Sequence, residues 1–190
     1  MNGTDQLLEE IIKLKEQLHD MYERHYWESE IFSLTWWISI ALIILPIIIW
    51  WKVADKKRLL ELSVFGLLVN VVATLLDIGL SDHMFWEYPI HVIPQTALFL
   101  PVDYIILPVI GTILYQKCPK WLPFLLASTI ASAILSFACE PLAVYIRMYR
   151  LITWRCIYSF PIYIAIFALM KFITGKVVAK TKSAREEMQK

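Results

Sequence analysis

The stretch Ser33–Val53 reads SLTWWISIALIILPIIIWWKV, and it indicates the class of fold more clearly than any other part of the chain. No charged residue interrupts it between Ser33 and Trp51. A helix needs about 20 predominantly apolar residues to cross the roughly 30 Å of hydrocarbon in a bilayer. Tryptophan pairs stand near both ends, where their amphipathic rings favour the headgroup layer. The stretch is therefore predicted to be a transmembrane helix.

Four further stretches have a similar length and apolar character, and each is predicted to cross the membrane: Leu59–Leu80, Pro94–Tyr115, Trp121–Ala143 and Ile152–Ile173. Helices are expected because isolated strands would leave backbone groups unpaired in lipid. The composition agrees, since 18% of the 190 residues are charged, whereas soluble domains carry about 25%. The predicted fold class is an all-α membrane protein, a five-transmembrane-helix bundle with a long amphipathic N-terminal helix.

The distribution of Lys and Arg predicts the orientation of this bundle. Five spans divide the connecting segments between two sides, and twelve of the 18 Lys and Arg residues fall on one of them. The richer side is expected to be cytoplasmic. The N-terminus then lies outside the cell membrane and the C-terminus inside. The chain is thus predicted to form an external helix, a five-span bundle and a basic cytoplasmic tail, over residues 1–32, 33–175 and 176–190.

The N-terminal segment Thr4–Glu30 is predicted to form one helix, because Thr4 can cap it and no Gly or Pro interrupts it afterwards. Apolar residues repeat along it at alternating steps of four and three, which is a narrow heptad seam: Leu7, Ile11, Leu14, Leu18 and Met21. Three roles compete: pairing with a second copy or a protein partner, folding back onto the chain's own bundle, and lying on the lipid surface. The acidic balance of the segment argues against the lipid surface, since surface-seeking helices are usually basic.

Asp103 is the clearest ionisable group inside a predicted span. It lies in Leu100-Pro101-Val102-Asp103-Tyr104, with Pro108 beyond it. A count of ~1.5 Å per residue from Pro94 puts it ~13 Å below the outer surface. Ionisable groups at such a depth tend to face the protein interior and to have a function. Asp103 is therefore expected to face the bundle interior and to interact with Asn70 or Arg155.

Other polar groups converge on the same outer half of the membrane under this topology. Asn70 has nearly the depth of Asp103, and Asp77 lies two helical turns further out. Glu140 and Arg155 stand near the outer ends of the fourth and fifth spans. The predicted polar pocket comprises Asp103, Asn70, Asp77, Glu140, Arg155 and Tyr104. The alternative for Asp77 and Glu140 is that they reach water at the membrane edge or pair with Arg155 and Arg147.

Neither a metal nor a cofactor is expected. No His/Glu/Asp set has metal-ligand spacing, and no GxSxG, P-loop or HExxH motif occurs. Cys118, Cys139 and Cys156 are widely spaced and are expected to act as small buried hydrophobes. The net charge of +1 gives no indication of nucleic acid as a partner. The lipid bilayer is the partner that the composition itself predicts.

Several short motifs resemble a family of small, functionally uncharacterised integral membrane proteins of endospore-forming Gram-positive bacteria. They are Leu-Pro-Val-Asp-Tyr with Pro-Val (100–104, 108–109), Ser-Phe leading to Glu-Pro (136–137, 140–141), and Trp-Arg with Ser-Phe-Pro-Ile-Tyr (154–155, 159–163). The resemblance covers roughly residues 33–175 and leaves out the N-terminal helix. It implies a cell-membrane protein and no assigned activity.

A second resemblance is to membrane cyclases of the lycopene-cyclase type, which also carry prolines next to carboxylates within short spans. Here the acid precedes Pro141, and the paired acids that usually follow a proline in those enzymes are missing. The leading expectation is a non-enzymatic protein that binds or passes a molecule at the polar pocket, or serves as a partner subunit. The alternative is an intramembrane enzyme acting on a lipid or isoprenoid, with Asp103 as the acid. A proton-coupled transporter is a third option, but the chain is short for one and has no internal repeat.

Overall fold

The computed structural model describes residues 3–94 and 100–188, and most of these residues are helical. The helices are α1 Gly3–His25, α2 Leu34–Val53, α3 Leu59–Asp82, α4 Leu107–Lys117, α5 Trp121–Ile134, α6 Glu140–Tyr145 and α7 Cys156–Met188. π-Helical turns cover Tyr26–Glu30, Pro101–Ile106 and Leu135–Cys139, and a 3-10 turn covers Lys56–Arg58. The strands β1 Trp86–Glu87 and β2 Arg150–Leu151 pair antiparallel. The predicted all-α class is confirmed.

Within residues 3–94 and 100–188, four helical segments are long and apolar enough to cross a membrane: Leu34–Val53, Lys56–Asp82, Trp121–Tyr145 and Cys156–Thr181. They correspond to the first, second, fourth and fifth predicted spans. The last of these helices begins at Cys156 rather than Ile152 and continues to Met188, so it includes most of the segment predicted to be a separate tail.

The predicted third span, Pro94–Tyr115, is not among these four segments, and the predicted count of five is not confirmed. Residues 95–99 of that span lie outside the described part of the chain. The remainder forms the π-helical turn Pro101–Ile106 and α4, which has 11 residues. Pro101 and Pro108 have no N–H to donate, which disturbs regular helical hydrogen bonding around them.

The π-helical turns Pro101–Ile106 and Leu135–Cys139 each contain or adjoin a proline and an acidic residue. In the first, the N–H of Leu107 donates to the carbonyl of Val102, five residues back. In the second, the N–H of Glu140 donates to the carbonyl of Leu135. Such single π-turns rotate the side chains that follow them and occur often at functional sites. The sequence LPVDY and the sequence EP therefore mark the two places where the helices change pitch.

The core forms where α3 packs against α4 and α7. Phe65, Leu107 and Phe167 are almost fully buried there. A Cβ atom at Gly111 would lie 2.9 Å from the ring of Phe167, so only glycine allows α4 to approach so closely. Burial of each large apolar side chain stabilises such a core by about 1.5–3 kcal/mol in water. Within a bilayer, close packing of this kind is the main attraction between helices.

A short two-stranded antiparallel sheet links the segments that follow α3 and α6. Met84 and Arg147 both have a left-handed backbone, with φ of 59° and 61°, which costs a non-glycine residue about 1–2 kcal/mol. These residues end the two helices and turn the chain so that Trp86 pairs with Leu151. The carbonyl of Phe85 then accepts from the N–H groups of residues 152–154 at 3.0–3.2 Å. The pairing of β1 with β2 thereby fixes the segment that leads into α7.

Helix α1 is attached to the rest of the protein through its C-terminal end. Glu30 is 1% exposed and accepts from the backbone N–H of His91. Its two carboxylate oxygens also lie 2.6 Å from Nδ1 of His25 and 3.0 Å from Nδ1 of His91. The hydroxyl of Tyr26 donates to the carbonyl of Val92 at 3.1 Å. We call this cluster of His25, Tyr26, Glu30, His91 and Val92 the latch.

The predicted heptad seam on α1 faces away from these attachments. Its five residues are 42–66% exposed, and α1 contains no buried residue. The seam is thus available to a second copy, a protein partner or lipid. The chain's own bundle does not cover these five residues, as it would if α1 folded back onto it.

Candidate functional site

A cavity of about 240 Å³ lies between α3, α4, α6, α7 and the two-stranded sheet. Most of its wall is apolar, and it includes the rings of Trp86, Tyr88, Tyr149, Trp154 and Tyr163. Three carboxyl groups from three different helical segments also line it: Asp77, Asp103 and Glu140. Among the described residues no Lys or Arg lines it. The cavity is therefore a mainly apolar chamber with acidic groups and no basic side chain of its own.

Asp77 is held by neutral donors from β1 and the residue that follows it. It is 6% exposed, and Nε1 of Trp86 donates to its Oδ1 at 3.0 Å. The hydroxyl of Tyr88 donates to the same oxygen. Burial, followed by the charge of Asp77, raises the pKa of Tyr88 well above its usual value, so this hydroxyl keeps its proton and remains a donor. β1 and the residue that follows it thus supply two side chains that orient one carboxyl group.

Asp103 faces Asp77 rather than a basic residue. It is 8% exposed, and its carboxyl group forms a side-chain hydrogen bond with that of Asp77. A carboxylate only accepts hydrogen bonds, so one member of such a pair must hold a proton. The two groups therefore form an acid–carboxylate pair that carries at most one negative charge.

Glu140 ends a short chain of hydrogen bonds from α7. The hydroxyl groups of Tyr163 and Ser159 donate to its two carboxylate oxygens at 2.8 and 3.1 Å. Ser159 in turn accepts from Nε1 of Trp154 at 2.9 Å. Glu140 is half-buried, and its donors are neutral like those of Asp77. A third carboxyl group is thus oriented toward the cavity by hydroxyl groups.

Three of the six predicted pocket residues lie outside the cavity wall. Asn70 does contact Asp103, but its side-chain N–H donates to the main-chain carbonyl at 3.3 Å. Tyr104 is 39% exposed on the other face of its turn. Arg155 is exposed in the segment before α7. Asn70 therefore contacts Asp103 as expected, but at its main-chain carbonyl. The side chain that bonds to the carboxyl group of Asp103 is that of Asp77.

The alternative for Asp77 and Glu140, in which they reach water or pair with an arginine, also differs from the structure. Asp77 is buried, and it accepts hydrogen bonds from the equally buried side chains of Trp86 and Tyr88. Glu140 is bonded to hydroxyl groups of α7. Both carboxyl groups therefore lie inside the protein and are reached by neutral donors.

Several wall residues were not identified from the sequence, above all Trp86 and Tyr88. The order Trp-Glu-Tyr is a signal that was available, since residues two apart face the same side of an extended strand. Tyr149 was equally unrecognised, and its ring stacks on that of Tyr88 at 5.6 Å. Burial raises the pKa of Tyr149 as well, so it too stays protonated.

The chemistry of the wall favours a particular kind of molecule. No group of three His, Cys, Asp or Glu side chains among residues 3–94 and 100–188 is arranged to hold a metal ion. Acidic groups surrounded by aromatic rings suit an organic cation, which gains both charge pairing and cation–π attraction. The rings of Trp86 and Trp154 meet edge to face with centroids 5.0 Å apart. No protein-family model, curated protein or solved structure matches this chain.

Proposed function

We propose that this protein is a non-enzymatic, multi-pass membrane protein that binds a lipophilic organic cation in the acidic, aromatic cavity. One observation carries the proposal: Asp77, Asp103 and Glu140 line an apolar chamber in which no described Lys or Arg balances their charge. The ligand class has an apolar body of modest size and one positive charge, such as an amine or a quaternary ammonium group.

The energetic argument rests on the cost of buried charge. An ionised carboxyl group away from water is costly unless it is paired. Neutral donors such as Trp86, Tyr88 and Tyr163 reduce this cost but leave the net charge in place. A cation between the acids would neutralise that charge in a poorly screened environment, where pairing is stronger than in water. Binding is thus favoured by charge and by the apolar wall together.

The test compares two probes of the same shape. Benzyltrimethylammonium and neopentylbenzene differ only in that a carbon replaces the positive nitrogen. The purified full-length protein in detergent is titrated with each probe, and tryptophan fluorescence reports occupancy because Trp86 and Trp154 line the cavity. We expect saturable binding of the cation and at least tenfold weaker binding of the neutral probe. Equal affinities would refute a charge-selective site.

The acid–carboxylate pair of Asp77 and Asp103 favours one second candidate, an intramembrane enzyme acting on a lipid or isoprenoid. A proton held in an apolar chamber can be donated to one carbon of a double bond, and the carboxylate that remains can then remove a proton from the adjacent carbon, which shifts the double bond. The two candidates differ in outcome. Incubation with an isoprenoid lipid followed by mass spectrometry and chromatography reveals an isomerised product only if the protein is a catalyst, whereas a binding protein returns the lipid unchanged.

The motifs that resemble the spore-former membrane family also contain the site residues. LPVDY contains Asp103, the Glu-Pro pair contains Glu140, and the Trp-Arg and Ser-Phe-Pro-Ile-Tyr motifs contain Trp154, Ser159 and Tyr163. We therefore propose membership of that family, with this cavity as the feature that its motifs build. The membership itself implies a cell-membrane location and no activity.

We propose five membrane crossings, with the predicted third provided by the broken helix through Pro101–Ile106 and α4. The orientation is tested at the two ends of α3. With the native cysteines replaced, Lys57→Cys is expected to resist an impermeant thiol reagent in intact cells, and Asp82→Cys is expected to react. Both positions are exposed, so burial does not protect either. Reaction at 57 and protection at 82 would reverse the topology and move the cavity to the cytoplasmic half.

The exposed seam of α1 supports pairing with a second copy or a protein partner. Leu14 is central in the seam and 58% exposed, and a charge placed there would be desolvated by any partner. Leu14→Asp is expected to abolish cross-linked assemblies of the full chain while the membrane helices still insert. Gln17→Asp, which adds the same charge outside the seam, is the control and should leave assembly intact. Unchanged assembly in Leu14→Asp would exclude the seam as an interface.

A further inference from the structure

A second site lies at the opposite end of α3 from the cavity. It is an open groove of about 400 Å³ between the N-terminal ends of α3 and α5 and the middle of α7. Three cationic side chains and three aromatic rings form most of its wall: Arg58, Lys171, Lys176, Tyr115, Trp121 and Phe172. No Asp or Glu among the described residues lines it. We call it the basic groove.

Lys171 places a charge at the bottom of the basic groove. Its side chain is almost fully buried at 5% exposure, and Nζ donates to the carbonyls of Cys118 and Pro119 at 2.7 and 3.1 Å. These carbonyls follow the C-terminal end of α4, where the helix dipole favours a positive charge. Nζ also lies 4.1 Å from the centre of the Phe124 ring. The lysine is thereby held in place by carbonyls and rings, and no carboxylate in the part of the chain that the structure describes pairs with it.

Arg58 stands at the rim with part of its hydrogen-bonding capacity unused. Its Nε and Nη2 donate to the two carboxylate oxygens of Glu61 at 3.1 and 3.0 Å. Its Nη1 has no hydrogen-bond partner within residues 3–94 and 100–188. A guanidinium has five N–H donors, so it can hold a phosphate and a carboxylate at once. Lys176 is exposed on the other side, where its Nζ lies 5.5 Å from the centre of the Phe172 ring.

We infer that the basic groove binds the phosphate headgroup of an anionic phospholipid. The groove lies beside the first residues of two candidate membrane-spanning segments, which begin at Lys56 and Trp121. The ends of such segments are expected at the level of the headgroups. Phe172 is 53% exposed beside it, so an acyl chain can run along the apolar face of α7. Basic pockets between membrane helices, on the side rich in Lys and Arg, recognise anionic headgroups in this manner. A free phosphate shares the charge but gains nothing from the aromatic wall.

The experiment measures lipid selectivity of the full-length protein by native mass spectrometry. The delipidated protein is mixed with equal amounts of phosphatidylglycerol and phosphatidylcholine of the same acyl chains. We expect one phosphatidylglycerol to be retained per chain, with at least tenfold preference over phosphatidylcholine. The double variant Arg58→Gln/Lys176→Gln is expected to abolish this preference, because it removes two of the three positive charges of the groove. It leaves the buried Lys171 in place. Lys56→Gln with Lys180→Gln removes two exposed charges outside the groove and serves as the control.

Each outcome decides the inference. Loss of selectivity in the groove variant alone supports the site. Equal loss in both variants, or loss in neither, overturns it, because diffuse surface charge would then account for any preference. A parallel arm adds inorganic phosphate, and its tight binding without any lipid preference would assign the groove to a soluble anion and overturn the lipid site. Should the double variant fail to fold, Lys176→Gln against Lys180→Gln makes the same comparison with exposed residues.

Discussion

Replacing Asp77 and Asp103 together by asparagine is expected to weaken binding of benzyltrimethylammonium by about 100-fold or more. The substitution removes the charge of the carboxyl pair but keeps acceptor oxygens for Trp86 and Tyr88, whose donors would otherwise lose their partner. Loss of one member of a desolvated charge pair typically costs about 2–5 kcal/mol, and each 1.4 kcal/mol is about tenfold in affinity. Titration followed by tryptophan fluorescence measures the change.

A matched control separates this effect from a general change of charge on α3. Asp82 lies on the same helix, is exposed and does not line the cavity. The Asp82→Asn variant should therefore bind benzyltrimethylammonium with the affinity of the unaltered protein. Binding of neopentylbenzene should change little in the double variant, because the apolar wall remains. If the double variant binds the cation as tightly as the Asp82→Asn control does, the carboxyl pair has no part in recognition.

The second large effect is expected at the latch. Glu30→Ala removes a side chain that is 1% exposed and leaves the backbone N–H of His91 and two imidazole groups without their shared acceptor. Breaking such a buried cluster typically costs about 3–5 kcal/mol. Hydrogen–deuterium exchange should therefore accelerate by about 100-fold or more in the segments around Tyr26 and His91. Glu28→Ala, an exposed carboxylate in the same turn, is the control and should exchange as the unaltered protein does.

The latch should also depend on pH in a defined direction. Burial alone would raise the pKa of Glu30, but the hydrogen bonds from His91 and His25 outweigh it and hold the pKa below the ordinary value of 4.5. A depressed pKa means that the stabilising contribution is fully present above about pH 4.5 and is lost as the pH falls through the lower folded-state value. Hydrogen–deuterium exchange around Tyr26 should therefore accelerate only as the pH falls below about 4.5. Acceleration confined to a range above pH 4.5 would show that Glu30 is not the group involved.

Hydropathy was sufficient to predict the main helices. Ser33–Val53 was predicted within one residue of α2 as observed, because a long uncharged run has few alternatives in lipid. The boundary of α7 was less accurate. Its helix continues through Lys176 and Lys180, since charged residues end the apolar run without ending the helical hydrogen bonding.

The depth of the acidic groups could be predicted, but their partners could not. A count of residues per turn placed Asp77 and Asp103 in one half of the bundle, and both line the cavity. That count assumes a regular helix, whereas the π-turn Pro101–Ile106 adds a local rotation. The same limit applies to Trp86 and Tyr88, which are oriented by pairing of β1 with β2, where Trp86 pairs with Leu151. Long-range pairing of two-residue strands has almost no local signal.

The central claim, that a lipophilic cation occupies the cavity, is tested most directly by locating a bound probe. A benzyltrimethylammonium analogue with a diazirine on its ring is photo-cross-linked to the full-length protein, and the labelled residues are identified by peptide mass spectrometry. We expect labels on cavity residues such as Trp86, Tyr149 and Tyr163. Excess unlabelled cation should block them, and the double variant Asp77→Asn/Asp103→Asn should lose them. Labels confined to outward-facing residues such as Leu67 and Leu75, which are 64% and 65% exposed, and unaffected by excess cation, would contradict the claim.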